Sequence, residues 1–97
     1  MTDPIILEAV VDTILSYVHP VRIILFGSRV SGGGHEYSDY DIAIEGVRLD
    51  IATSRLLKEA IDAKVGIYSV DLVELDRLDD GFRELVRNDG VVLYEAD

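Results

Sequence analysis

Apolar and polar positions alternate along this chain in two distinct rhythms. Asp3 followed by Pro4 is a helix-start signal, an N-cap residue and then proline in the first turn. From Ile5 to Val18 the apolar residues Ile6, Val10, Ile14, Tyr17 and Val18 recur at helical spacing, and Leu7, Val11 and Leu15 widen the stripe. Only Glu8, Asp12 and Ser16 mark a polar face, so the helix is expected to be deeply buried or to reserve part of its surface for a partner. His19-Pro20 ends it, because proline cannot continue the ladder and restricts the residue before it.

The rhythm then shortens. Val21–Phe26 is an unbroken apolar run apart from Arg22, as a buried strand requires, and Asp39–Glu45 alternates with period two. That alternation places Asp39 and Asp41 on one face and Tyr40, Ile42 and Ile44 on the other. A second helix is expected from about Asp50 to Ala63, with Ala52, Leu56, Ala60 and Ile61 facing inward, and a third strand over Val65–Leu75 around Gly66. Asp76, Asp79 or Asp80 can cap a third helix carrying Phe82, Leu85 and Val86, which Asn88-Asp89-Gly90 closes before a last strand at Val91–Tyr94. The order is α-β-β-α-β-α-β in one domain spanning residues 1–97. The tight first β-to-β connection predicts an antiparallel pair and the helical crossovers predict parallel pairings. The fold class is therefore α/β (α+β): a mixed sheet of about four strands with helices mainly on one face.

Composition narrows the chemistry. The 97 residues are 48% apolar, enough for a packed core, and contain no cysteine, so disulfide, zinc-thiolate and thiol chemistry are excluded. Nine Lys plus Arg against 19 Asp plus Glu give a formal charge of −10, with the cations scattered; direct binding of nucleic acid is not expected. No positively charged amino-terminal region precedes an apolar run with a cleavage site and no apolar stretch reaches membrane-spanning length, so the expectation is a cytoplasmic protein.

The candidate site is the pair Gly27-Ser28 at the end of the first strand, then ten residues, then Asp39-Tyr40-Asp41 at the start of the next. Two carboxylates roughly 7 Å apart along a strand repel each other unless a cation sits between them, and hard oxygen ligands suit Mg²⁺. Asp71, which interrupts the apolar run Val70–Val73, is the candidate third carboxylate. Read as part of an interior strand it would be a buried acid in need of a metal, although a salt bridge or an edge-strand position would also account for it. Three such carboxylates can hold two Mg²⁺ ions that stabilise the attacking and leaving oxygens of an in-line displacement. Gly27 lets the backbone approach a phosphate, the Ser28 hydroxyl can donate to one, and Arg29 can neutralise a leaving pyrophosphate or stand as a surface cation. Isolated Asp-x-Asp or Gly-Ser pairs are usually solvated turns; their spacing beside two strands, with Asp71, is what makes the signal specific.

Other polar residues read as structural. Glu45 is expected to be solvent-exposed at its strand end, and Glu74 falls on the face opposite Asp71. His19 and His35 have no second histidine nearby. Asp76, Asp79 and Asp80 read as caps and solubilising charges, Tyr40 as core, and Tyr37 as a loop residue packing locally, with stacking on a base as its alternative.

Gly27-Ser28, the ten-residue gap, Asp39-Tyr40-Asp41, the Val70-Asp71-Leu72-Val73 strand and the closing Gly90–Tyr94 segment together resemble the minimal nucleotidyltransferases (MNT), a small branch of the DNA polymerase beta-like superfamily. The resemblance implies that Gly27 and Ser28 bind nucleotide phosphates and that Asp39 and Asp41 bind Mg²⁺, with Asp71 completing the triad. The chain departs from the pattern after Arg29: Val30-Ser31-Gly32 lacks the basic residue that the family often carries there. The resemblance further implies an antitoxin that transfers AMP from ATP to a tyrosine of a HEPN-domain toxin, its hetero-oligomeric partner. The acceptor is expected to bring its own docking surface, for which an exposed stripe of Leu7, Val11 and Leu15 is one expected place. An antitoxin acting by contact alone and transfer to a small-molecule hydroxyl are the alternatives.

Overall fold

A computed structural model describes residues 3–27, 30 and 39–97. Helix α1 spans Pro4–Leu15, strand β1 Arg22–Phe26, β2 Tyr40–Glu45, helix α2 Ile51–Val65 and β3 Val70–Glu74. A 3-10 turn at Leu75–Arg77, helix α3 at Asp80–Asp89 and strand β4 at Val91–Glu95 complete the order. Each of these three α-helices starts on an aspartate whose carboxylate accepts an otherwise unpaired backbone N–H: Asp3 from Ile5 at 2.9 Å, Asp50 from Thr53 at 2.6 Å and Asp79 from Phe82 at 2.8 Å.

The sheet order is β3-β2-β1-β4. Strands β1 and β2 are antiparallel, with Phe26 opposite Asp41, whereas β2 and β3 are parallel, with Asp41 opposite Asp71. The crossover through α3 returns a strand running the same way as β3. It lands beyond β1 rather than beside β3, so β4 pairs antiparallel, with a register irregularity between Ile23 and Ile24. The expectation of parallel pairing therefore holds for β2 and β3 but not for β4.

Two apolar clusters sandwich the sheet. On one face, Val10 and Ile14 of α1 and Leu57, Ile61 and Val65 of α2 pack on Ile23, Leu25, Tyr40, Ile42 and Ile44. On the other, Leu75 of the 3-10 turn and Val86 of α3 cover Ile24 and Ala43, with Phe26, Val73 and Leu78 at the margin. Of the helices among the described residues, two thus share the larger core and α3 lies on the opposite face.

Three expectations are corrected by this packing. The inward stripe of α2 is Leu57, Ile61 and Val65; Leu56, one position away, is mostly exposed. An i, i+4 series reaching Val65 carries the helix past Ala63 and leaves Gly66 as its C-cap at φ +68°, so β3 begins only at Val70. Leu7, Val11 and Leu15 are not an exposed stripe: they are partly buried against the larger core.

Candidate active site

The site starts at the end of β1. Gly27 has φ +85°, a left-handed backbone that disfavours any side chain. A Cβ built there would lie 2.2 Å from Asp41 Oδ2 and 3.0 Å from its carboxyl carbon. The space a side chain would occupy at position 27 is thus already filled by the Asp41 carboxylate, and the glycine turn lies directly against the acid. Val30 N–H donates to the Gly27 carbonyl at 3.1 Å.

Period-two geometry points Asp41 away from the large core, on the same face as Ala43 and α3, and sets Asp71 beside it on β3. The Asp41 carboxyl titrates above the ordinary aspartate value, first because burial disfavours its charge, then because Asp71 and Asp39 are negative. The three carboxylates predicted from sequence therefore share one electrostatic neighbourhood. Asp39 is exposed at the edge of β2. Asp71 is exposed as well: β3 is an edge strand, which corrects the reading of Asp71 as a buried acid on an interior strand. Among the described residues no three His, Asp or Glu side chains converge as a preformed metal cage. The chemistry of the donor set still fits a divalent ion, since hard carboxylate oxygens gathered at one place are the ligands whose mutual repulsion such a cation compensates. Ser28, Arg29, His35 and Tyr37 lie outside the described residues.

Beside Asp41 opens a cleft of about 790 Å³ between α3 and the end of β1. Gly27, Val30 and Asp41 line one side, and Phe26, Phe82, Leu85, Val86, Asn88 and Asp89 the other. The rings of Phe26 and Phe82 meet edge to face, with centroids 5.9 Å apart and an interplanar angle of 86°. Sequence reasoning placed Phe82 and Leu85 on a helix but not at the site. The available signal was that α3 carries more apolar surface than Val86 alone needs for anchoring.

Glu45, read from sequence as solvent-exposed, is a tie instead. Its side chain is only 12% exposed; Arg22 Nε donates to Oε1 at 2.8 Å and Arg87 of α3 donates to Oε2 at 3.0 Å. Arg22 is held charged above its usual range, chiefly by its hydrogen bond to Glu45. Glu74, on the face away from Asp71, accepts from Leu49 N–H at 2.9 Å and pairs with Arg77 at 3.1 Å. Asp76 accepts from Gly46 N–H at 2.8 Å, so it braces a turn rather than capping a helix. Tyr40 is core, as expected, and its hydroxyl accepts from Asp3 N–H at 3.1 Å.

Residues 8–97 match the model of the family described as polymerase beta, nucleotidyltransferase. The chain belongs to that family. It is 37% identical over 91 residues to a probable protein adenylyltransferase, MntA, of Haemophilus influenzae, covering 92% of this chain and 80% of that protein. A crystal structure of a toxin–antitoxin with AMP-PNP superposes with a TM-score of 0.77 at 25% identity, covering 94% of this chain and 74% of that one. The MNT antitoxin complex with a tri-AMPylated HEPN toxin of Shewanella oneidensis shares the fold, with a TM-score of 0.70 at 22% identity over 94% of this chain and 71% of that one. The minimal branch of this nucleotidyltransferase family is thus where the chain sits. Among the described residues, no helix is long and apolar enough to cross a membrane.

Proposed function

We propose that this nucleotidyltransferase is an antitoxin that transfers AMP from ATP, with Mg²⁺, to a tyrosine hydroxyl of a HEPN-domain toxin in the cytoplasm. The observation that carries the reading is the stacking of the Gly27 turn on the Asp41 carboxylate, with Asp71 next to it in register. This brings a phosphate-accommodating backbone and a cation-binding acid into contact. Support for the donor and the protein acceptor comes from the MntA relative and from the toxin–antitoxin holding AMP-PNP.

Asp39, Asp41 and Asp71 would hold the metal, which when bound supplies positive charge to the phosphates and to the developing charge of the displacement. The Gly27 backbone admits the triphosphate, and Ser28 and Arg29 bind its oxygens. The tyrosine oxygen attacks the α-phosphorus, the bond from that phosphorus to the bridging oxygen breaks, and pyrophosphate leaves with the electron pair. The tyrosine proton passes to the Asp71 carboxylate. Exposure suits Asp71 to this role, because a protein acceptor approaches from solvent.

Intact mass of the HEPN partner after incubation with this chain, ATP and Mg²⁺ tests the reading. One or more AMP additions are expected, and the Asp39→Ala, Asp41→Ala double variant should slow them by on the order of 10³-fold or more, since metal charge stabilisation is worth several kcal/mol. A stable complex with no mass change, and toxin protection undiminished in the double variant, would instead mean neutralisation by contact.

A further inference from the structure

The α3 wall of the cleft is more apolar and more open than anchoring the helix requires. Phe82 is 43% exposed and Leu85 is 55% exposed, although Val86 alone supplies the buried contact of the helix. Both line the cleft that contains Gly27 and Asp41. This one cavity therefore has an acidic end flanked by bare backbone and an apolar, aromatic end. Its volume of about 790 Å³ is that of a site for a nucleotide-sized ligand.

The wall is also held in place. Phe82 N–H is bound by the Asp79 cap, its ring rests edge to face on Phe26, and Arg87, two residues beyond Leu85, is tied to Glu45. A ring fixed in this way presents its surface without having to be ordered by the ligand, which lowers the entropic cost of binding.

We propose that Phe82 and Leu85 form the seat of the donor's nucleobase, which stacks on the apolar end of the cleft while the triphosphate extends toward Gly27 and Asp41. The assignment rests on the nucleotidyl-transfer reading given above. The segregation of the cavity sets the orientation. Phosphates gain nothing beside Phe82 and Leu85, whereas a cation held by the carboxylates would draw them to the other end. A base carries no charge for that cation to draw, and it stacks favourably on an exposed ring. Asn88 and Asp89 at the rim offer hydrogen-bonding groups to the edge of the base.

The test compares two ligands on the full-length chain in Mg²⁺: AMP-PNP, which has a base, and inorganic tripolyphosphate, which has none. In Phe82→Ala, AMP-PNP affinity should fall on the order of tenfold while tripolyphosphate affinity is unchanged, and Phe82→Tyr should restore AMP-PNP binding. Leu85→Gln, at a position more than half exposed and therefore safe for folding, should weaken AMP-PNP selectively by a smaller factor. Wild-type binding of AMP-PNP with no selective loss in either variant would place the base elsewhere and overturn the proposal. Equal losses for both ligands would do the same, by showing that the residues act only through the fold. If wild type binds neither ligand, the nucleotidyl-transfer reading itself fails, and the base seat with it.

Discussion

The two faces of the sheet are built for different ends. The face under α1 and α2 buries Ile23, Leu25, Tyr40, Ile42 and Ile44 almost completely and is closed by two helices. The face under α3 buries a small cluster around Ile24, Ala43 and Val86 and is interrupted by Asp41, Glu45 and an open cleft. One strand serves both: β2 sends Tyr40, Ile42 and Ile44 into the large core and Asp41 and Glu45 to the other side. Apolar burial on the first face offsets the electrostatic cost of gathering carboxylates on the second. A stabilised acid at the site would be a neutralised one, and useless to a cation.

This division is open to direct challenge. The largest effect is expected on the core face: Ile42→Ala should cost about 2–5 kcal/mol, which in a domain of this size is enough to unfold much of the protein, as thermal denaturation would show. Gly27→Ala comes next. It forces a left-handed backbone on alanine and drives a Cβ into the Asp41 carboxylate; a loss of about 1–3 kcal/mol is expected, with a collapse of transfer activity out of proportion to it. Calorimetry alongside the mass assay separates the two. If Gly27→Ala kept full activity, the contact between turn and carboxylate would have no part in the chemistry.

Glu45→Gln should be milder, about 1 kcal/mol, because both arginines remain partly solvated and salt screens the pairs. Its cost should shrink as ionic strength rises, a dependence that chemical denaturation at low and high salt would resolve. The smallest effect has the opposite sign. Asp41→Asn removes a charge that burial and two neighbouring acids oppose, so the melting temperature should rise by a few degrees while transfer is lost. Because folding raises the pKa of Asp41, the wild-type fold loses stability as pH climbs from the ordinary aspartate value through the elevated one. Melting temperatures measured across that window should decline in wild type and flatten in the variant.

The exposed Asp50 cap on α2 behaves in the reverse sense. Its carboxyl is held below the usual value, first by the Thr53 backbone hydrogen bond, so its support is present above the ordinary aspartate value and fades as pH falls through the lowered one.

What the sequence by itself determined is local. The caps Asp3 and Asp79, the order of elements, the alternation that splits Asp41 from Tyr40, and the spacing from Gly27 to Asp39 all arise from backbone geometry acting over a few residues. That range was enough to read the family and to name the carboxylates.

Only the tertiary structure decided matters of long range. It placed β3 at an edge and so exposed Asp71, rotated α2 by one position onto Leu57, and brought Arg22 and Arg87 together on Glu45 across 23 and 42 residues of chain. It also set α3 over the end of β1, turning Phe82 and Leu85 into the wall of a cleft that neither local rhythm announces. Periodicity tells which side of an element faces in; which neighbour fills that side depends on how strands far apart in sequence come to lie together, and one short chain carries no pairwise record of that.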